Sequence, residues 1–381
     1  MKCHLQKQCG GCQYLDKRVS DIQKIKTDQV NVLLKKHRIQ AKVSNTHMAK
    51  QDTHYRNKVI VGFAKQKGKV FAGLYAQGSH RVIHTKNCLM QPKRVNELIE
   101  YFAYLVQSMK IELYNEKTRT GTLRHVLIRY SQSTNQMLVM IVSAKRQFPS
   151  RKNLVKALTK KFPEIRSILF SINDRNTSVV VEDVGYPIYG DGFISDTLCD
   201  LDFTYSASNF YQIHHDQCEV LYALANQFLQ MKPNEVLLDT YCGIGTIGMS
   251  LAKDCKQVIG VEINKQSIQS AKYNQKRNNI TNMEFVCADS TKFMNEAAIH
   301  HQKVDALVLD PPRAGTTRDF IESVFRLKPS KVCYISCDPK TLARDLELFQ
   351  KQYKVQRIEL VDMFPYTKHV ESVVLMSRKD R

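Results

Sequence analysis

The stretch Val236-Leu237-Leu238-Asp239-Thr240-Tyr241-Cys242-Gly243-Ile244-Gly245-Thr246-Ile247-Gly248 decides the fold. It reads as an apolar strand, an acidic residue, a glycine-rich turn and the start of a helix, and its glycines spell G-x-G-x-x-G. Such a turn admits a doubly wound α/β sheet, in which ligands gather at the carboxyl ends of the strands. The next strand, Val258-Ile259-Gly260-Val261-Glu262, ends in a carboxylate 19 residues after Gly243, placed to accept hydrogen bonds from ribose hydroxyls. Asp239, at the tip of the first strand, favours a positively charged ligand part over a bare pyrophosphate. S-adenosylmethionine carries a sulfonium, an ammonium and a ribose, and fits that arrangement better than NAD.

Two more strands follow on the carboxyl side. Ala306-Leu307-Val308-Leu309-Asp310 runs into Pro311-Pro312-Arg313-Ala314-Gly315, a turn or a rigid loop facing a ligand. Lys331-Val332-Cys333-Tyr334-Ile335 leads into Ser336-Cys337-Asp338-Pro339, where the strand stops and a helical pattern starts at Thr341. Cys337 thus lies at a strand's carboxyl end near a helix N-terminus, a position that lowers a thiol's pKa and suits a nucleophile. A lone cysteine is more often a small core residue, and Cys199, Cys218, Cys242, Cys255, Cys287 and Cys333 read that way. The last feature, Asp362-Met363-Phe364-Pro365-Tyr366-Thr367-Lys368-His369-Val370-Glu371, precedes a closing strand, Val373–Met376. Most Glu side chains are exposed; beside a nucleophile at the sheet edge, Glu371 reads as a general base.

The chain has 381 residues, enough for two domains, and a net charge of +21, which calls for a polyanionic partner such as nucleic acid. No apolar run approaches membrane length, and the N-terminus has no signal-peptide core, so a cytoplasmic protein is expected. Eleven cysteines in a reducing compartment do not form a disulfide framework. Cys3, Cys9 and Cys12, with Gly10-Gly11 between the last two, make an incomplete tetrahedral set, and Cys88 is the best fourth ligand. Four cysteines hold zinc or a [4Fe–4S] cluster; one close pair with two outliers favours iron–sulfur over the paired knuckles of zinc.

Between these motifs, Val19–His37 patterns as an amphipathic helix. Residues 50–94 are strongly basic, with Tyr55, Phe63, Phe71 and Tyr75 interleaved and strand-like alternation at Val59–Phe63 and Val70–Leu74. Such a surface suits splayed bases and phosphates, or else a solvated sheet with aromatics in its core. Helices are expected at Glu97–Met109 and Asn153–Phe162 and strands at Met137–Val142 and Ser167–Ile172. Gly121-Thr122-Leu123-Arg124-His125 is a possible functional loop, and Gly185–Gly192 a turn-rich connection. Residues 1–205 are expected to form an α+β RNA-binding domain, on which the helix near 19–37 is free to leave and pack against the second unit. Residues 206–381 form the catalytic α/β domain.

Taken together, Asp239–Gly248, Asp310-Pro311-Pro312-Arg313, Ser336-Cys337-Asp338-Pro339 and Asp362–Glu371 resemble the motifs of the RNA uracil-C5 methyltransferase family. The likeness extends to Tyr55-Arg56-Asn57-Lys58, Ser79-His80 and the Cys3/Cys9/Cys12/Cys88 set, which resembles the family's iron–sulfur branch. It implies an S-adenosylmethionine-binding Rossmann-like domain behind an RNA-binding domain with a [4Fe–4S] cluster, in a monomer acting on 23S rRNA or tRNA. By the same resemblance Cys337 is the nucleophile and Glu371 the proton acceptor, while Gln212, Tyr241, Glu262 and Asp310 are cofactor-binding positions. His214 departs from the Asn common in the family after Phe-x-Gln-x. The chain also begins at the cysteine motif, without the small β-barrel of many relatives.

Competing readings fit less well. A cytosine-C5 transferase would carry Pro-Cys after the strand ending at Asp310, and an adenine-N6 transferase an aromatic where Arg313 stands. A NAD-linked oxidoreductase gives Cys337 and the basic surface no joint role. A non-catalytic iron–sulfur RNA-binding module remains the alternative of a different class.

Overall fold

The computed structural model describes residues 2–175 and 185–379. Two sheets organise the chain. The larger has eight strands in the order Asn45–His47, Tyr353–Val361, Glu371–Arg378, Lys331–Ser336, Ala306–Leu309, Val236–Thr240, Gln257–Glu262 and Met283–Cys287. All adjacent pairs are parallel except those made by Glu371–Arg378, which is antiparallel to both neighbours. The central strands are apolar on both faces because helices cover both sides, as parallel sheets require. The strand order reverses between Ala306–Leu309 and Val236–Thr240, the kind of switch point at which α/β sheets open a ligand crevice.

The second sheet has seven strands, ordered Val82–His84, Lys69–Tyr75, Lys58–Gln66, Leu123–Tyr130, Met137–Ser143, Ile165–Ile172 and Tyr186–Tyr189. Its one parallel pair, Met137–Ser143 with Ile165–Ile172, is joined through the helix Arg151–Lys161. One face packs on that helix and on Lys93–Ser108. The other contributes Leu127, Leu138, Met140 and Val142 to a core shared with Leu237, Val308 and Ile335 of the eight-stranded sheet. The hairpin Ile194–Leu198/Leu201–Tyr205 lies at this seam.

Several expected features differ. Gly121–His125 is not an exposed loop: Leu123 opens a buried strand, with Arg124 and His125 inside it. Tyr186–Tyr189 pairs with Ile168–Phe170, so the turn-rich stretch holds an edge strand. Tyr55 and Phe63 are buried in apolar clusters, leaving them unavailable as base-stacking platforms. Cys287 is exposed and Cys199 half-buried, whereas Cys218, Cys242, Cys255 and Cys333 are core residues.

The N-terminal segment crosses to the eight-stranded sheet. Helix Val19–Lys36 packs on helix Pro339–Phe349, and Asn45–His47 adds an edge strand beside Tyr353–Val361. The helix buries Ile22, Lys26, Val30 and Leu34, a stripe repeating every fourth residue. Lys26 is fully buried in that stripe because its Nζ donates to Asp362 Oδ1 at 2.5 Å and to the Phe364 carbonyl at 3.2 Å. Burial alone pushes the Lys26 pKa down and the Asp362 pKa up; each charge opposes the other's shift. The pair pins the loop that precedes Glu371. Lys26→Met, which strands a buried carboxylate, should cost about 3–5 kcal/mol in denaturant unfolding, and Lys26→Met/Asp362→Leu should recover most of it.

Candidate active site

The register of two antiparallel strands builds the site. Ser336 pairs with Ser372, so Cys337 follows and Glu371 precedes the last pair of the ladder, close enough for Glu371 to act on the Cys337 thiol. Directly opposed residues have Cβ atoms about 4.5–5.5 Å apart. Cys337 leaves its strand just before helix Pro339–Phe349, whose N-cap Asp338 accepts from Lys340 N at 2.8 Å and Thr341 N at 3.4 Å, with Pro339 in the first turn. On the other side, Leu309 pairs with Tyr334, which brings Asp310 to the same edge. Thus Cys337, Glu371 and Asp310 converge there, with Arg313 in electrostatic range.

This edge is acidic and poorly solvated. Burial pushes Glu371 up to about 8, the charge of Asp310 adds to the rise, and Arg313 opposes it. Burial likewise raises Asp310 to about 7. Glu371 Oε2 has no hydrogen-bond partner among the described residues, which leaves a buried acceptor unsatisfied there. The expected lowering of the Cys337 pKa is reversed: burial, then Glu371 and Asp310, push the thiol up to about 11, with Arg313 working against them. Two carboxylates and desolvation outweigh the helix N-terminus.

The Pro311–Thr316 loop is held by a device not evident in the sequence. Fully buried Asp345 accepts from Tyr334 Oη at 2.6 Å and Thr316 N at 2.9 Å, while Arg344 donates to the Ala314 and Thr316 carbonyls. Tyr241 Oη meets Thr316 Oγ1 at 3.2 Å, linking this loop to the glycine turn. Tyr241 itself sits in left-handed backbone at φ 61°.

Of the cofactor-binding candidates, Glu262 is oriented by backbone N–H groups: Gly243 N donates to one oxygen at 3.2 Å and Asn264 N to the other at 2.8 Å. Asp239 is wholly buried: its Oδ2 accepts from Gly248 N at 2.9 Å and so braces the turn, while its Oδ1 has no hydrogen-bond partner among the described residues. A Cβ on Gly248 would stand 2.8 Å from that carboxylate, which explains the third glycine.

Gln212 lies in a segment gripped from the seven-stranded side. Asn57 Nδ2 donates to the Gln212 carbonyl at 2.6 Å, and Asn57 N to that of Ile213 at 3.0 Å. Buried Arg129 donates to the Ala207 and Asn209 carbonyls, and Tyr205 stacks on Tyr211 at 4.3 Å. His214 stacks on Tyr55 at 4.7 Å and contacts the Gln51 carbonyl at 2.9 Å, a role in holding the segment. Arg129 sits mid-strand, 80 residues from its partner; nothing in its local sequence marks it.

Cys3, Cys9, Cys12 and Cys88 line one cavity of about 430 Å³, closed in part by Leu15 and Met90. Burial pushes Cys12 up to about 12, with Cys88, Cys9 and Cys3 adding to the rise and Arg56 opposing it. Burial also pushes the Cys88 thiol up, so Cys12 and Cys88 would ionise most readily beside a cationic centre. Among the described residues, no three His, Cys, Asp or Glu side chains close on one point as a single metal ion needs. The same segment touches the catalytic loop: Tyr14 N donates to the Tyr366 carbonyl at 3.0 Å and Lys368 N to Gln13 Oε1 at 3.2 Å.

Comparison with known proteins bears on this arrangement. Residues 20–379 match the family model described as tRNA (Uracil-5-)-methyltransferase. An uncharacterized RNA methyltransferase of Bacillus cereus is 36% identical over 100% of this chain and 83% of its own length. One of Staphylococcus aureus is 34% identical over 99% of this chain and 84% of its own. The crystal structure of Pyrococcus abyssi tRNA (uracil-54, C5)-methyltransferase with S-adenosyl-L-homocysteine superposes with a TM-score of 0.81. It is 25% identical and covers 96% of this chain and 85% of that one.

The raised Glu371 has a consequence for stability. Its folded pKa, about 8, lies above the unfolded value near 4.3, so from about pH 4 to 8 the unfolded chain holds fewer protons at this site. Stability is therefore full below the unfolded pKa and falls as pH rises towards 8. Glu371→Gln should flatten that decline by up to about 1.4 kcal/mol per pH unit, read from urea unfolding at pH 5, 6.5 and 8.

Proposed function

The chain belongs to the tRNA (uracil-5-)-methyltransferase family and is an RNA methyltransferase, and from that premise we propose that it makes 5-methyluridine in 23S rRNA through Cys337 and Glu371. S-adenosylmethionine, the second substrate, supplies the methyl group, and Gln212, Tyr241, Glu262 and Asp310 form its binding positions. The observation that carries the reading is the cross-strand juxtaposition of a thiol with a buried carboxylate that has an unpartnered oxygen.

Uracil C5 is too weak a nucleophile to attack a sulfonium unaided. The Cys337 thiol loses its proton to solvent water, the sulfur adds to C6, and the electron pair of the C5–C6 double bond moves into an enolate spread over C5 and O4. C5 then bonds to the methyl carbon as the carbon–sulfur bond of the donor breaks. The adduct still carries the C5 proton. Glu371 removes it, the C5–C6 double bond re-forms, and the C6–S bond breaks to release Cys337. The target uridine must leave any stack to reach this edge. An ionised Glu371 is the form that accepts a proton, and burial disfavours it; a cationic donor beside the acidic edge offsets that penalty.

A tRNA target is the second reading, favoured by the likeness to the Pyrococcus abyssi enzyme over nearly the whole chain. Mapping 5-methyluridine in rRNA and tRNA from a strain lacking the gene separates the two, since one RNA should lose the modification. For the chemistry, Cys337→Ala should abolish transfer, and Glu371→Gln should accumulate a covalent protein–RNA adduct on denaturing gels. A Glu371→Gln protein turning over at the wild-type rate removes Glu371 from the mechanism. A protein that binds RNA but transfers nothing from labelled S-adenosylmethionine is the non-catalytic module instead.

We further propose that Cys3, Cys9, Cys12 and Cys88 hold a [4Fe–4S] cluster with a structural role, supported by their shared cavity and by the hydrogen bonds from this segment to the loop before Glu371. Anaerobic purification should give a brown protein whose visible absorption bleaches on oxidation. A colourless, zinc-loaded protein would refute it.

A further inference from the structure

A second cavity, of about 470 Å³, lies at the seam between the sheets and is unused by the chemistry above. One wall is helix Lys265–Arg277; the other runs from Asp191 through the Ile194–Leu198/Leu201–Tyr205 hairpin to Asn209. Along the helix's C-terminal half the walls are joined, with Thr204 N donating to Asn274 Oδ1 and Asp202 N to Asn278 Oδ1, both at 2.8 Å. The cavity opens closer to the helix N-terminus, where Gln266, Gln269 and Tyr273 line it together with Phe193 and Asn209. Gln266 follows Glu262 by four residues and Asn209 precedes Gln212 by three, so the cavity adjoins the cofactor-binding segments.

Three features define what it takes. Asn209 is only 4% exposed, and its Oδ1 accepts from Ser206 N at 2.8 Å, a group that can only donate. That bond fixes the amide's orientation and leaves Nδ2 as the donor, with no hydrogen bond of its own among the described residues. Phe193 and Tyr273 are 40% and 55% exposed, flat rings left open to solvent at a cavity mouth. Among the described residues no Lys or Arg lines the space, and the one charged liner, Asp191, is engaged by Arg166 at 3.3 Å and Ser167 Oγ at 3.0 Å. Lys265, Lys272 and Lys276 are exposed on the same helix, where they suit a phosphate backbone passing outside.

Aromatic faces, a fixed amide donor and two glutamines match a nucleobase rather than a phosphate. Drawing a uridine out of a folded RNA also unstacks its neighbours, which then need a place to go. We infer that this cavity captures an unstacked base flanking the target uridine, with Phe193 and Tyr273 as stacking surfaces and Asn209 Nδ2 donating to a base acceptor. The inference rests on the RNA-methylating function proposed above.

The test uses the full-length protein and a stem-loop RNA that the wild type methylates. Tyr273→Ala should raise the RNA Kd about 5- to 100-fold while Tyr273→Phe stays near the wild type. For Tyr273→Ala, kcat at saturating RNA and the Kd for S-adenosylhomocysteine should not change. Asn209→Asp keeps the acceptor for Ser206 N but replaces the donor, and should alter base preference at one flanking position in a panel of substituted RNAs. Equal RNA affinity for wild type and Tyr273→Ala overturns the inference, as does a parallel loss of S-adenosylhomocysteine affinity, which would give the cavity to the cofactor. If the wild type methylates no RNA, both readings fall; methylation with unchanged Tyr273→Ala binding sinks this one alone.

Discussion

The strand register between Lys331–Ser336 and Glu371–Arg378 is the constraint on which the site depends. Side chains alternate across a sheet, so a slip of one residue would send every side chain of the strand to the opposite face. With Ser336 against Ser372, the thiol and the carboxylate become cross-strand neighbours although 34 residues separate them in the chain. The antiparallel insertion of Glu371–Arg378 into an otherwise parallel sheet achieves this. A parallel strand would begin, not end its approach, at the far edge, and would carry Glu371 away from Cys337.

Around that pair the protein places few compensating charges. Asp310 joins Glu371 in a desolvated edge, and only exposed Arg313 opposes them. Burial and like charge therefore favour the protonated forms at this edge, in contrast to a thiolate poised by a helix dipole. Such an edge is matched to a cationic methyl donor, whose arrival changes the charge balance at the moment it is needed. Meanwhile the surrounding loops are immobilised by buried polar devices. Lys26 with Asp362, Asp345 with Tyr334 and Thr316, and Arg129 with the 207–209 carbonyls each join segments distant in sequence.

Much of the fold was legible locally. Helix Val19–Lys36 follows its four-residue apolar repeat, and the strands at Val236, Gln257, Ala306 and Lys331 follow short apolar runs ended by Asp, Glu, Gly or Pro. What misled was context. The brace from Asp239 to the Gly248 N–H is invisible at the strand tip, because the helix that supplies that N–H lies behind it. Tyr55 and Phe63 in a basic stretch resemble stacking platforms, yet alternation cannot say which face meets the core. Gly121–His125 reads as a loop because Arg and His are polar; burying them takes partners that lie elsewhere in the chain, such as Tyr75 on His125.

The sequence by itself determined the sheet's motif order, the place of Cys337 at a strand end, the basic character and the Cys3, Cys9 and Cys12 motif, because each is written in contiguous residues or simple periodicity. Only the tertiary structure decided the rest. It brought Cys337 close to Glu371, raised both pKa values, buried Lys26 on Asp362, brought distant Cys88 to the cavity lined by Cys3, Cys9 and Cys12, and opened a second cavity at the seam. All of these depend on desolvation and on contacts between residues far apart in the chain, and those exist only once the two sheets have packed.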